Sequence, residues 1–591
     1  MKKKNLISNI LFAFKEVYTQ ARMFFVLFIV KTSIASGKVF VFARLSQLLL
    51  DEITYAINAG VVTRKTIELS LFIVFAEMLV ITITSIIEYF STKSTLKYNN
   101  SMSVKNAEKC SALKYEFYDS PENQNNLRQF NTDAHAIINL FCQTITLTTV
   151  GISFVASLII SLKFSIVITI FALGVSLPGF FVNKKIKADG YKMEQRLNLL
   201  DRRVDYFRGI FSNKGAYQEL HLFHALSYMR KILDEAMESR ASERCIQYKK
   251  NLCKELCLFL FYLIANVVIN LLLVVSVIAA KLSIGNYTYY NTIINNLKNN
   301  SSNLVGIFNE IIISNKKVKN YRNFYDSENE YGKGSVDFLP DSFLIEFVDV
   351  SFKYPNTERF VLKNISFTIK SGEKVALAGI NGAGKTTIVN LLLRFYDPTQ
   401  GVILINGQDI RAIKIEHYWK LFTAMFQHAN LYNFSLRENL LISNASSDSA
   451  LYDQQLQDAL AKAGIMLPID ALGKQVGKSF DADGFIFSPG EAQKINVAKT
   501  LLRDSDIIIL DEPSSAMDAV SEHNIINNVF DFAEEKTLIF ISHKLSNLKR
   551  VDKILFLRNG TILEAGSHDE LMNIENGEYK KMYTMQAEKY I

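Results

Sequence analysis

Long apolar stretches recur through the first part of the chain, up to about residue 325, and they limit its fold more than any other feature. Each is close to or longer than the roughly 20 residues that an α-helix needs to cross a bilayer. Five are apparent, at residues 23–50, 67–90, 136–162, 164–182 and 256–280. This part of the chain is therefore predicted to be a bundle of membrane-spanning helices.

A sixth stretch, about residues 287–313, is much more polar, and on hydropathy alone it could be an outside loop. Its asparagines form two rows in which neighbours stand four residues apart: Asn295, Asn299 and Asn303 in one, Asn296 and Asn300 in the other. Residues at that spacing share one side of a helix, so the amides could line a water-filled cavity in the membrane. We favour the helix, which makes six predicted spans.

Basic residues occur in the first span. Lys31 and Lys38 are seven residues apart and share a helix face, with Arg44 further round. Charged side chains are costly inside a bilayer. Two explanations stay open: the cations line a cavity and attract an anionic group of a transported solute, or they extend to the membrane surface.

The composition suits two kinds of domain in one chain. Its 591 residues exceed what one hydrophobic core usually holds. Hydrophobic residues make up 49% and charged residues 21%, as expected for a membrane portion joined to a soluble one. The net charge of +8 fits basic cytoplasmic loops of a membrane protein, and nucleic acid is not expected as a partner. The five cysteines lack metal-ligand or paired spacing and are predicted to be reduced.

Charged segments surround the apolar ones. Residues 5–22 are amphipathic and are predicted to form an elbow helix along the inner membrane surface. Two long charged intervals, about residues 91–133 and 183–255, fall inside the cell if the N-terminus is cytoplasmic. Their length predicts helices that continue beyond the membrane. The segment 326–341, with glycine and proline among acidic residues, is predicted to be a linker.

After the linker, short apolar strands alternate with helical stretches, which predicts a soluble α/β domain with a parallel sheet. The predicted strands are residues 344–350, 374–378, 401–405, 507–510 and 537–541. The residues that indicate chemistry lie at the ends of these strands.

One run of residues matches the phosphate-binding P-loop of ATPases: Gly379-Ile380-Asn381-Gly382-Ala383-Gly384-Lys385-Thr386. It follows a buried strand and precedes an apolar helix, at residues 388–395, as a P-loop should. Backbone N–H groups and Lys385 would hold the β- and γ-phosphates, and the Thr386 hydroxyl would bind Mg²⁺. The predicted ATP contacts here are Gly379, Asn381, Gly382, Ala383, Gly384, Lys385, Thr386 and Thr387.

A second buried strand, residues 507–510, delivers Asp511 and Glu512 to its end, where ligands bind in open α/β sheets. Asp511 is predicted to hold the coordination shell of the metal ion. Glu512 is predicted to polarise the attacking water.

Together these residues resemble the ATP-binding cassette superfamily, and the domain order resembles its exporter-type half-transporters. The resemblance covers essentially the whole chain. It implies that Tyr354 stacks on adenine, that Gln427 senses Mg²⁺ and nucleotide, and that His543 contacts the γ-phosphate. The implied catalytic residues are Glu512, His543 and Gln427, and the implied metal ligands are Thr386, Gln427 and Asp511. The family's D-loop corresponds to Ser515-Ala516-Met517-Asp518.

The family's signature motif, usually Leu-Ser-Gly-Gly-Gln, is altered here to Phe487-Ser488-Pro489-Gly490-Glu491. The resemblance implies that Ser488 and Gly490 bind the ATP held by a second subunit, so that catalytic sites form only in a dimer. Pro489 lacks a backbone N–H and has a fixed φ, which removes one donor and stiffens the loop. A homodimer with two slower sites and a heterodimer with one weakened site both stay open.

The predicted fold is an α-helical transmembrane bundle of six spans followed by a cytoplasmic α/β P-loop ATPase domain. The bundle, with its elbow helix, occupies residues 1–325, the linker 326–342, and the ATPase domain 343–591. Coupling segments are expected near residues 116–127 and 216–224.

The expected function is ATP-driven, Mg²⁺-dependent export of a hydrophobic or amphipathic solute, such as a small peptide, lipid or drug-like molecule. The expected partners are a second half-transporter, membrane lipid and the solute, in a bacterial plasma membrane. An importer or lipid translocator on the same scaffold, and a membrane-tethered ATPase that transports nothing, are the alternatives.

Overall fold

The computed structural model of the chain describes residues 5–279, 282–327, 331, 334, 336, 342–427, 431–444, 453–513 and 517–588. They form two compact units. The helical unit comprises Met1–Ser111 and Asn126–Ser327, and the α/β unit comprises Ala112–Asn125 and Glu328–Ile591. Most of the predicted linker lies outside the described residues.

The chain before the linker is helical. Its described α-helices are α1 (Leu6–Gln20), α2 (Arg22–Ala59), α3 (Arg64–Ser111), α4 (Pro121–Asp133), α5 (His135–Phe164), α6 (Ile166–Phe211), α7 (Lys214–Leu222), α8 (Leu226–Ala279) and α9 (Ile284–Tyr325). A short 3₁₀-helix, Tyr115–Asp119, precedes α4 and belongs to the α/β unit.

Within the described residues, five helices are long and apolar enough to cross a membrane: α2, α3, α5, the first part of α6 and α8. They contain the five apolar stretches seen in the sequence. Helices α3, α6 and α8 run on without a break into the charged intervals, so α8 alone, at 54 residues, is about 81 Å long. That length exceeds a bilayer, as the charged intervals predicted.

The polar sixth stretch is a continuous helix of 42 residues, α9, rather than a loop. Its two rows of asparagines have different surroundings. Asn296 donates hydrogen bonds to Ser153 and Ser157 of α5, and Asn300 donates to Ser153, at 2.9 to 3.2 Å. These two amides therefore join helices instead of lining a cavity, whereas Asn299 and Asn303 of the other row are exposed.

Helix α1 packs its small residues into the bundle. Ala13 and Val17 are fully buried, while Ile7 and Leu11 on the other face are exposed. Polar contacts hold α1 in place: Lys105 of α3 pairs with Glu16 at 2.6 Å, and Arg322 of α9 donates to Asn9 Oδ1 at 2.7 Å. The amphipathic sequence therefore forms a helix with one face fixed to the bundle.

The α/β unit contains two sheets. Its strands are β1 (Leu344–Phe352), β2 (Leu362–Lys370), β3 (Lys374–Gly379), β4 (Gln400–Ile405), β5 (Gln408–Asp409), β6 (Phe422–Met425), β7 (Ile507–Asp511), β8 (Thr537–Ile541), β9 (Lys553–Arg558) and β10 (Thr561–Gly566). One sheet has the order β2-β1-β4-β5 and is antiparallel. The other has the order β10-β9-β3-β8-β7-β6, with parallel pairing from β9 to β6.

The expectation of one parallel sheet is therefore wrong for residues 344–350 and 401–405, which lie in β1 and β4 of the antiparallel sheet. For β1 the reason is β2, which directly follows β1 and pairs with it before any helix intervenes. Two strands joined without a crossover helix pair antiparallel. Strand β4 then pairs antiparallel with the other edge of β1.

The helices of the α/β unit are α10 (Lys385–Leu392), α11 (Ile415–Lys420), α12 (Leu436–Leu441), α13 (Asp453–Lys462), α14 (Pro489–Leu502), α15 (Ala519–Phe532), α16 (His568–Asn573) and α17 (Glu578–Ala587). One apolar core fills the space between the two sheets and α10. A second core lies on the other face of the parallel sheet, under α14 and α15. The parallel strands are buried on both faces, which leaves their carboxyl ends as the accessible edge.

Candidate functional site

The P-loop connects the end of β3 to the start of α10. Gly379 has a φ of 141°, and a Cβ there would lie 2.2 Å from the carbonyl oxygen of Leu557 on the neighbouring strand. Gly384 has a φ of 106° and caps α10. Side chains are excluded at both positions, so the chain can turn tightly and present the unpaired N–H groups of the first helical turn.

Lys385 lies across this loop. Its ammonium donates to the carbonyl oxygens of Gly379 and Ile380 at 3.0 and 3.1 Å, and the residue is buried. Burial lowers the pKa of Lys385. The loop therefore contains a desolvated cation beside a helix N-terminus, and both attract phosphate.

Asp511 and Thr386 meet beside the loop. The Thr386 hydroxyl donates to Asp511 Oδ2 at 3.1 Å. Asp511 is buried at the end of β7, and burial raises the pKa of its carboxyl, while the Thr386 hydrogen bond opposes that shift. A hydroxyl and a carboxylate this close are oxygen ligands of the type that Mg²⁺ prefers.

Glu512 brings together the three predicted catalytic residues. It follows β7 with a left-handed φ of 51°, and its N–H donates to the carbonyl oxygen of Ile541 at 3.0 Å. Its carboxylate accepts a hydrogen bond of 3.1 Å from the amide of Gln427 and contacts His543 Nε2. Gln427, Glu512 and His543 follow the adjacent strands β6, β7 and β8, so the sheet order itself produces the cluster.

Tyr354 lies on the other side of the P-loop. Its hydroxyl is 3.0 Å from that of Thr387, and its ring meets those of Phe352 and Tyr396 edge to face. The ring is half-buried. An aromatic ring is thus held next to the phosphate-binding loop, where a base could stack on it.

The altered signature segment forms the start of α14. Ser488 is the N-cap: its hydroxyl accepts from the N–H of Glu491, and its own N–H donates to the Glu491 carboxylate at 2.8 Å. Pro489 occupies the first helical position, where an N–H would have no partner within the helix. The donor that Pro489 removes is therefore one that the helix never uses, and Glu491 completes a capping box.

Some predicted residues are not brought to the cluster. Within the described residues, the hydroxyl of Ser488 bonds only to Glu491, and neither Ser488 nor Gly490 has a hydrogen bond to the P-loop. Ser515 and Ala516 of the predicted D-loop lie outside the described residues. Asp518 caps α15 by accepting from the N–H groups of Val520 and Ser521 at 3.1 and 2.9 Å.

Sequence reasoning missed the residues that hold the loop around His543. Gln586 of α17 donates to the carbonyl oxygen of His543 at 2.7 Å and accepts from the N–H of Leu545 at 3.0 Å. Buried Glu522 of α15 contacts Lys544 and accepts from Asn547 at 2.9 Å. No motif marks these contacts in the sequence, because each joins residues more than 20 positions apart.

The 3₁₀-helix Tyr115–Asp119 packs on the surface just after α10. The Tyr115 ring stacks on Phe395 with centroids 4.9 Å apart, and the Tyr396 hydroxyl donates to Asp119 Oδ2 at 2.7 Å. Lys114 lies 3.6 Å from Asp397. This segment overlaps the first expected coupling segment.

Comparisons with known proteins agree with this site. The ABC transporter family model matches residues 362–515. The chain is 27% identical over 577 residues to the subtilin transport ATP-binding protein SpaT of Bacillus subtilis, covering 95% of this chain and 91% of that protein. It is 36% identical over 262 residues to the ATP-dependent lipid A-core flippase of Haemophilus influenzae, a match to 44% of each protein.

A solved structure of a bacterial Atm1-family ABC exporter with ATP bound has the same fold. The TM-score is 0.79 at 20% identity, with 95% of this chain and 99% of that chain covered.

A P-loop, the cluster of Gln427, Glu512 and His543 at three adjacent strand ends, and a set of membrane-length helices are features of a transporter-type ATPase. Residues 362–515 match the ABC transporter family, and nearly the whole chain is similar in sequence to an ABC-type transport protein and in fold to an ABC exporter.

Proposed function

We propose that two such halves form a dimer that exports a hydrophobic or amphipathic solute by alternating access. The observation that carries this proposal is the Glu512 cluster beside the P-loop, complete except for the signature residues. Among the described residues Ser488 and Gly490 have no hydrogen bond to this cluster, which supports their supply to the site by a second subunit.

In the hydrolytic step, Glu512 is the general base. Its carboxylate takes a proton from the attacking water, whose oxygen then bonds to the γ-phosphorus as the bond to the β-phosphate oxygen breaks. Gln427 and His543 hold the carboxylate from both sides, which fixes the direction from which the water attacks the γ-phosphorus. His543 can then turn its imidazole toward the γ-phosphate.

The oxygen atoms near the P-loop fit Mg²⁺. Thr386 and Asp511 already converge, and burial leaves the Asp511 carboxyl without solvent to balance its charge. These two residues, with the amide oxygen of Gln427, would hold the ion, which supplies charge neutralisation between the β- and γ-phosphates.

The nucleotide would lie between the two halves. Tyr354 stacks on the adenine, and the contacts from Gly379 to Thr387 hold the phosphates of the same half. Ser488 and the N–H of Gly490 reach the γ-phosphate from the other half, at the N-terminus of α14. ATP then closes the two α/β units, and hydrolysis separates them.

Two segments would transmit this closure to the membrane helices. The first, near residues 116–127, begins in the 3₁₀-helix that packs on Phe395 and Tyr396. The second, near residues 216–224, contains the end of α7, where Leu222 and Phe223 are exposed apolar residues. Such an exposed pair at the tip of a helical extension suits a contact with the second half.

The proposed location is a bacterial plasma membrane with the α/β unit in the cytoplasm. The two long charged extensions and the basic N-terminal segment then lie on the inner side.

The test is to purify the chain alone, reconstitute it in lipid nanodiscs, and measure its mass and Mg²⁺-dependent ATPase activity. A dimer that hydrolyses ATP only with Mg²⁺ supports the homodimer. An inactive chain that becomes active with a second half-transporter from the same cell supports the heterodimer. A monomer that hydrolyses ATP at full rate contradicts the shared site.

A further inference from the structure

Lys298 is a charged residue of α9, which packs against the membrane-length helices α2, α5, α6 and α8. Its ammonium donates to Asn295 Oδ1 at 3.2 Å and contacts the Oδ1 atom of Asn266 on α8. No carboxylate lies within ion-pair distance of it among the described residues. The cation is therefore held by neutral amides, and its charge is not balanced.

The position of Lys298 along the helix is deep. It stands fourteen residues after Ile284, the first residue of α9, which corresponds to about 21 Å along the axis. Asn266 stands thirteen residues before the end of α8 at Ala279, about 20 Å away from that end. With the two helix ends at the membrane surface, both residues would lie within a hydrocarbon core of roughly 30 Å, where an unbalanced charge facing lipid is costly.

Hydrogen bonds on the opposite face of α9 from Lys298 fix the orientation of this helix about its axis. Asn296 and Asn300 bond to α5, and each is about 200° around the helix from Lys298. Lys298 is accordingly turned away from the α5 contact and toward α8, where it is half-buried. Asn270 and Tyr287, joined at 3.1 Å, continue the polar contact between α8 and α9.

The basic residues of α2 differ in their partners. Lys31 lies 3.2 Å from the carboxylate of Glu88, whereas Arg44, like Lys298, donates to a neutral amide, that of Gln47, at 2.6 Å. Lys31, which the sequence offered as a cavity residue, is thus neutralised inside its own half. A lysine that is fixed, deep, partly accessible and unbalanced is suited to an anion that comes and goes.

We propose that Lys298 is a subsite for the anionic group, a carboxylate or phosphate, of an amphiphilic cargo. An ammonium has three N–H donors, and Asn266 and Asn295 take two of them. The third is left for an oxygen of the cargo, whose apolar part lies along the helices. This inference rests on the proposed export function and names the class of cargo.

The rival for Lys298 is a carboxylate from a second copy of the chain. Glu77 of α3 is exposed and stands thirteen residues after Arg64, so it lies about 20 Å from the end of its helix, at a similar depth. Pairing between Glu77 and Lys298 across a dimer would balance the charge without cargo.

The experiment compares two fluorescent probes on the reconstituted full chain: a dansylated undecanoic acid and its uncharged carboxamide. We expect the acid to bind about tenfold more tightly, the effect of one hydrogen bond to a charged group. Lys298→Gln should reduce this preference to below twofold, and Lys298→Arg should keep most of it. Lys163→Gln, an exposed lysine at the end of α5, is the matched control and should change nothing.

If inorganic phosphate displaces the acid probe, the preferred ligand of Lys298 is a free anion. If phosphate does not displace the probe, the preferred ligand is the anionic group of an amphiphile. Equal binding of the two probes to the wild-type chain overturns the subsite, and that comparison needs no variant. A second result would also overturn the subsite: Lys298→Glu loses ATPase activity, and adding Glu77→Lys to the same chain restores it. That result would favour the ion pair between Glu77 and Lys298. Loss of all Mg²⁺-dependent ATPase activity in the wild-type chain is a separate outcome and overturns the proposed function instead.

Discussion

At the scale of single residues, the site depends on two adjacent acids in different surroundings. Asp511 is buried and faces the Thr386 hydroxyl, whereas Glu512 turns outward through its left-handed backbone and meets Gln427 and His543. A left-handed φ in a residue with a side chain costs about 1–3 kcal/mol. This backbone conformation directs two neighbouring carboxylates to two separate sets of contacts.

Asp511 should lower the stability of the folded protein at neutral pH. Burial raises the pKa of its carboxyl, so the folded state holds the proton more tightly than the unfolded state does. The charge therefore costs stability at neutral pH, and the cost disappears as the pH falls through the folded-state pKa.

Asp511→Asn should accordingly raise the free energy of unfolding at pH 7 by about 1 kcal/mol without nucleotide, and less at lower pH. The substitution should also remove the additional stabilisation of the folded chain that Mg²⁺ gives when ATP is present. Thermal unfolding of the full chain, with exposed Asp458→Asn as control, measures both effects. Stabilisation by Mg²⁺ that survives in Asp511→Asn would exclude this residue as a metal ligand.

Gln586 should act on hydrolysis through the backbone of the His543 loop. Gln586→Leu removes the hydrogen bonds to His543 and Leu545, which lets the imidazole move away from Glu512. We expect kcat to fall on the order of tenfold with little change in KM for ATP. The neighbouring exposed change Met585→Gln should leave both constants unaltered, and an equal rise in KM would instead indicate general damage to the nucleotide site.

The sequence was sufficient to place residues whose positions follow from the local order of the chain. The P-loop and the Asp511-Glu512 pair each lie within one strand, turn and helix, so their geometry follows from the chain itself. Gln586 and Glu522 could not be found that way, because their contacts depend on where α17 and α15 pack.

At the scale of single elements, α14 shows how an unusual sequence can keep an ordinary structure. Pro489 looked like the loss of a donor when compared with the family motif. In the structure Pro489 and Glu491 occupy positions one and three of a capped helix, and both residue types favour those positions.

Pro489→Gly should therefore lower stability and leave activity nearly unchanged. Glycine makes the unfolded chain more flexible, which costs about 0.4–1 kcal/mol. The N–H that it restores lies at the first helical position, while the N–H of Gly490 is already available to phosphate. We expect an ATPase rate within about twofold of wild type. A rate increase of tenfold or more in the same assay would show that Pro489 does weaken the site.

Element type was easier to predict than element pairing. The five apolar spans and the parallel strands β3, β7 and β8 were evident, since burial gives them continuous apolar runs. The antiparallel sheet was not, because the order β2-β1-β4-β5 depends on a pairing that the strand pattern does not specify. The sequence also could not show that one row of α9 asparagines contacts α5 and the other does not. Residue spacing indicates which residues share a helix face but not what that face contacts.

At the scale of the whole molecule, a shared site predicts complementation between two inactive variants. Lys385→Ala damages the P-loop of its own half, and Ser488→Arg damages the site of the other half. Each variant alone should be inactive. Mixing the two before reconstitution should restore activity, because a mixed dimer contains one site in which both contributions are intact. If mixtures stay as inactive as the separate variants, the sites are not shared in this way.

The central claim is that hydrolysis at Glu512 drives a solute across the membrane. The direct measurement uses proteoliposomes with outward-facing α/β units, given a lipid and small-molecule extract of the source cell, Mg²⁺ and ATP, with the lumen analysed by mass spectrometry. We predict that at least one amphiphilic component accumulates inside with the wild-type chain and not with Glu512→Gln, which should bind ATP but turn it over at least about a hundredfold more slowly. Full ATP hydrolysis with no component moved in either direction would contradict the account and leave a membrane-tethered ATPase.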